Sequence, residues 1–115
     1  MAPAPDNWKT QIRKGYLELC LLRLIEREGR IYGFDLIEKL STAALEVKEG
    51  TLYPLLNRLN ADGLLSATWE TENLKGHPRK FYSLTPDGRR MLEEMNQAFE
   101  QMVATYQTLG KPGRK

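Results

Sequence analysis

The chain has 115 residues, 41% of them apolar and 28% charged, with a formal net charge of +2 and an isoelectric point near 8.7. That size and balance describe one globular domain with its own core, and leave no room for a catalytic domain beside a regulatory one. No stretch reaches the roughly 18 apolar residues of a bilayer span, and the first residues lack the pattern of a signal peptide. A cytoplasmic location is therefore expected. The single cysteine, Cys20, cannot form an internal disulfide and reads as a buried thiol in a reducing compartment.

In chain order, residues 1–7 (MAPAPDN) read as a loose proline-rich arm. From Trp8 to about Glu28 the composition predicts a helix. Its apolar positions (Ile12, Tyr16, Leu17, Leu19, Cys20, Leu21, Leu22, Leu24 and Ile25) cover more than one face. Such a helix is expected at the centre of the fold or shared with a partner, with Leu17 and Leu21 as candidates for the shared face. Gly29 provides its stop. A second helix is predicted from about Tyr32 to Thr42, with Phe34, Leu36, Ile37 and Leu40 apolar.

After a linker at Ala43–Lys48, a third helix is predicted from Glu49 to Asp62. There Leu52, Leu55, Leu56 and Leu59 form one stripe at i, i+3, i+4 and i+7. Pro54 stands close enough to the start to be tolerated, and Asp62-Gly63 ends the helix. The period then switches to two: Leu65, Ala67 and Trp69 alternate with Ser66, Thr68 and Glu70, which predicts a strand. Thr71–Pro78 reads as a turn and Arg79–Leu84 as the returning strand of a hairpin. Thr85 as N-cap and Pro86 at the first helical position open a last helix that runs to about Leu109. Residues 110–115 read as a basic tail.

The order predicts a mainly α fold with a small β-hairpin. That is a winged helix-turn-helix over residues 8–85, with an added long C-terminal helix over 86–109. In that arrangement the third helix is the recognition helix. With its leucines turned inward, Gly50, Pro54, Asn57, Arg58 and Ala61 point outward and Thr51 and Tyr53 flank the stripe. Asn57 and Arg58 can hydrogen-bond base edges or phosphates, and Lys48 lies just ahead of the helix. On the hairpin, Lys75, His77, Arg79 and Lys80 form a basic cluster suited to the DNA backbone or minor groove.

In the last helix Met91, Met95, Ala98, Met102, Tyr106 and Leu109 recur at helical steps, with Phe99 beside them. A winged helix is complete before this point, so the extra stripe calls for a partner. A symmetry mate is expected, with Met91, Met95, Phe99, Met102 and Tyr106 in the seam.

The segments GYLEL (Gly15–Leu19), YGFDL (Tyr32–Leu36), GTLYPLLNRL (Gly50–Leu59), DGLL (Asp62–Leu65) and PRKFYSLTPDG (Pro78–Gly88), in this order and spacing, resemble the PadR-type transcriptional regulators. The likeness is to the short subclass with a single C-terminal helix, and it covers roughly residues 8–109. It implies a homodimeric repressor on a palindromic operator in double-stranded DNA, often released by a small molecule. It also implies that the Tyr32 hydroxyl sits on a phosphate, and that Phe99, with Met95 and Met102, faces a small aromatic effector. Asn57 departs from the basic residue or histidine common at its position in that subclass.

No catalytic set can be built around His77, the single histidine, and no glycine-rich phosphate loop follows a strand. Neither an enzyme nor a metal or other cofactor is expected. The alternative is a winged-helix module that binds another protein and no DNA.

Overall fold

The computed structural model describes residues 4–70 and 78–113. Among them run α1 (Asp6–Glu28), β1 (Ile31–Tyr32), α2 (Gly33–Thr42), α3 (Glu49–Ala61), β2 (Leu65–Glu70), β3 (Arg79–Leu84) and α4 (Pro86–Leu109). The two hairpin strands, the third helix and the last helix lie where the pattern places them.

Two starts differ. α1 begins at Asp6, inside the segment read as an arm: the amide of Lys9 donates to the Pro5 carbonyl (2.9 Å) and an acidic residue occupies the first turn. Tyr32 does not open α2. It is in extended conformation (φ −68°, ψ 132°) and belongs to β1.

That two-residue strand makes the wing three-stranded and antiparallel, in the order β1-β3-β2. Ile31 faces Tyr82 and Tyr32 faces Phe81, while Leu65 to Glu70 pair with Leu84 to Arg79. Gly29, at φ 76°, turns the chain out of α1 and into the sheet.

The core is almost wholly leucine. Leu21, Leu22 and Ile25 of α1 meet Leu36 of α2, Leu52, Leu56 and Leu59 of α3, and Leu92 of α4, all fully buried. α1 is thus central, as its breadth of apolar surface predicts. Leu17 and Leu21, expected on a shared face, are instead 7% and 0% exposed within their own chain and have no surface to offer a partner. The apolar surface that α1 leaves open comprises Trp8, Ile12 and Tyr16. Cys20 is only half-buried, on the wall of an open cavity between α1 and the end of α2.

α4 is locked to the turn that ends α3. The Thr85 hydroxyl accepts from the Gly88 amide (2.9 Å) and donates to the Gly63 carbonyl (2.6 Å), and the Thr85 amide donates to the Leu64 carbonyl (3.1 Å). Gly88 is buried so tightly against this turn that a Cβ there would overlap the Leu64 carbonyl oxygen. Beyond this joint only Leu92, and partly Met95, pack on the core. Met102, Tyr106 and Leu109 are 61%, 78% and 79% exposed.

One residue in the linker before α3 is strained. Ala44 has φ 65°, the left-handed region that costs a residue with a Cβ about 1–2 kcal/mol, and its side chain is exposed. Ala44→Gly removes that cost and loses about half of it to the greater freedom of the unfolded chain. The variant is expected to gain about 0.5–1 kcal/mol in urea unfolding. An unchanged or lower midpoint contradicts the strain.

Candidate nucleic-acid interface

α3 buries Leu52, Leu56 and Leu59 and leaves Leu55 half-buried, which turns the opposite side of the helix outward. Tyr53 and Asn57, one turn apart, lie on the edge of that side next to the wing. They line one wall of a cleft of about 300 Å³. Trp69, Pro78 and Lys80 of the wing line the other, and Tyr32 and Phe34 close the end.

Gly33 lets the start of α2 come this close. A Cβ there would stand 3.1 Å from the Tyr82 ring and 3.6 Å from that of Tyr53. Burial raises the pKa of the Tyr82 and Tyr53 hydroxyls, with the Glu49 carboxylate adding to the rise for Tyr53 and the neighbouring Tyr53 hydroxyl adding to it for Tyr82. Both remain neutral donors at neutral pH.

Strand alternation sorts the wing cations onto opposite faces. Lys80 faces the cleft, opposite Trp69 in the ladder, with its ammonium 5.5 Å from the Trp69 ring and 5.8 Å from that of Tyr82. Arg79 lies on the other face, 5.3 Å over the Tyr32 ring. Beside it Arg30 stacks 3.9 Å over Phe81 and pairs with Glu70 at 3.0 Å.

Of the residues picked from sequence, Tyr32, Tyr53, Asn57 and Lys80 come together, with Arg79 on the reverse of the same wing. Lys48 and Thr51 are exposed at the start of α3, outside the cleft wall. Lys75 and His77 lie outside the described residues. Arg58 stands apart: it pairs with Glu18 of α1 (3.2 Å) and Asp62 (3.6 Å), on the side of α3 away from the cleft.

Phe34, Trp69 and Arg30 were not singled out from sequence. Phe34 and Trp69 continue apolar patterns in the sequence, yet they are 59% and 62% exposed. The register that sets Trp69 against Lys80 was the one available signal.

A second surface runs along α4. Met91, Phe99, Met102 and Tyr106 are exposed and Met95 is half-buried, while the Phe99 ring lies 6.0 Å from Tyr16 of α1.

A family model described as the transcriptional regulator PadR-like family matches residues 21–94, from the middle of α1 into α4. The chain belongs to that family. PadR-like regulators bind DNA, and this chain is a transcriptional regulator with their mostly helical fold and small three-stranded antiparallel sheet.

A PadR-like transcription factor from Bacteroides fragilis is 44% identical, with a TM-score of 0.77 over 90% of this chain and 99% of that one. A PadR-like transcriptional regulator from Bacillus cereus is 36% identical, with a TM-score of 0.78 over 90% and 99%. A transcriptional regulator of Mycobacterium tuberculosis is 40% identical over 76 residues, which is 66% of this chain and 69% of that protein. No described helix of this PadR-like chain is long and apolar enough to cross a membrane.

Proposed function

We propose that this PadR-like regulator is a homodimeric repressor that grips a palindromic operator with α3 in the major groove and the wing on the adjoining backbone. The observation that carries the reading is the shared cleft: Asn57 of α3 and Lys80 of the wing face the same space, one suited to base edges and the other to phosphate. Arg79 adds a second cation on the wing. Two copies of α3 related by a two-fold axis would enter major grooves about one helical turn apart. The bare apolar length of α4 supports dimerisation through that helix. Met95, Phe99 and Met102 then lie where an aromatic effector would meet the seam, and the protein works in the cytoplasm, on DNA.

Binding to a duplex enriched by the wild type from a random pool tests this. Affinity is expected to fall steeply with salt, since each neutralised phosphate contributes roughly −0.9 to the log–log slope. Arg79→Ala with Lys80→Ala is expected to flatten the slope by about one to two and to weaken all sequences alike. A double variant with the wild-type slope removes the wing from the contact. A wild type without duplex affinity leaves the protein-binding module in its place.

A further inference from the structure

The outer face of the wing carries an arrangement that the contact residues alone do not explain. Two arginines each lie over an aromatic ring, Arg30 at 3.9 Å from the Phe81 centroid and Arg79 at 5.3 Å from that of Tyr32, and the two rings touch at 5.7 Å. Phe34 extends the row, its ring stacked 6.2 Å from Tyr32. Glu70 neutralises Arg30 at 3.0 Å, and among the described residues no carboxylate pairs with Arg79. The ring of Tyr32 is fixed from below by the β1–β3 ladder and from the sides by Phe81 and Phe34.

We infer that Tyr32 is a positioning residue for DNA binding, its ring being the seat that holds the Arg79 guanidinium ready for a phosphate. This role rests on the DNA-binding reading above. A guanidinium lying over a ring keeps its N–H edge free, so the stacked group can still present its fork to an anion. An arginine on a wing in water would otherwise have to surrender the freedom of its long side chain on binding. Holding it beforehand removes that loss. The stacking chemistry belongs to the ring, so this role is separate from the hydroxyl contact that the family resemblance implies.

The test is a double-mutant cycle on the duplex enriched by the wild type, read by equilibrium binding over a salt series, with thermal melting of each variant alongside. Tyr32→Leu is expected to weaken binding about two- to five-fold, the range of an exposed cation–π contact. Tyr32→Phe is expected to restore what Tyr32→Leu loses. In an Arg79→Ala background Tyr32→Leu is expected to have no further effect, which a merely structural role in the sheet would not produce.

Arg79→Lys, on the surface and harmless to the fold, provides an independent reading. It keeps the charge and loses the planar stack, so binding is expected to weaken with little change in salt slope. A Tyr32→Phe variant as weak as Tyr32→Leu overturns the proposal in favour of the hydroxyl. So does a Tyr32→Leu effect that persists without Arg79, or an Arg79→Lys variant that binds like wild type. A wild type with no salt-dependent duplex affinity removes the DNA reading, and this role with it.

Discussion

Gly88→Ala is expected to cost the fold about 3 kcal/mol and lower the thermal midpoint by roughly 10 °C, because the added methyl meets backbone and not a movable side chain. The carbonyl it strikes, that of Leu64, is also the acceptor for the Thr85 amide, so α4 cannot back away without breaking its own start. A domain of this size has a total stability of only about 5–15 kcal/mol. A loss of about 3 kcal/mol is therefore roughly a fifth to three-fifths of the whole. Gly15→Ala provides the control. Gly15 also stands in a helix, but nothing lies within 4 Å of its missing Cβ, so there alanine is expected to stabilise by about 0.5–1 kcal/mol. Melting followed by circular dichroism should give opposite signs for the same chemical change. Equal shifts would mean that the α4 joint is looser than its hydrogen bonds describe.

Met102→Asp combined with Tyr106→Asp is expected to give a folded monomer. Both residues are mostly open to solvent in the single chain, so the protomer loses little packing. In a two-fold seam along α4 each charge would be buried twice with no counter-ion, at a combined cost of about 4 kcal/mol or more. That raises the dimer dissociation constant about a thousandfold, within reach of sedimentation equilibrium. Met95 is the poorer place for this test, because it packs partly on its own core and a charge there would damage the protomer itself. A double variant that sediments as the wild type does would place the dimer contact elsewhere.

Local chemistry was legible where neighbours in sequence settle it. Thr85-Pro86-Asp87-Gly88 announces a helix start because cap, imino acid and acidic first turn all act within four residues. The β2–β3 hairpin shows in a change of period. What was not legible depends on partners far along the chain. β1 is too short to carry a period and is defined by Tyr82 and Phe81, some fifty residues on. Arg58 looks like an outward contact until Glu18, forty residues earlier, is seen beside it.

The breadth of apolar surface on α1 showed that several neighbours share the helix. It could not show that Leu17 and Leu21 face the chain's own core while Ile12 and Tyr16 stay open. In the same way, alternation put Trp69 on the inner face of the wing, but not the fact that the sheet runs past the core at that point and into the cleft. The candidate site was thus half legible. Its polar members, Asn57 and Lys80, stood out by type, and its aromatic walls did not.

The lock between Thr85, Gly88 and the Gly63–Leu64 turn makes the end of α3 and the start of α4 one rigid piece. α4 has 24 residues and so extends about 36 Å. In the proposed dimer each protomer is then a lever whose fulcrum lies in the seam at the distal end of α4 and whose other end carries the recognition helix. Over such an arm a swing of about 5° displaces the far end by roughly 3 Å, close to the 3.4 Å rise of one base pair. A small change in how the two α4 helices cross would be enough to put the two recognition helices out of step with the operator, with no rearrangement inside either DNA-binding unit.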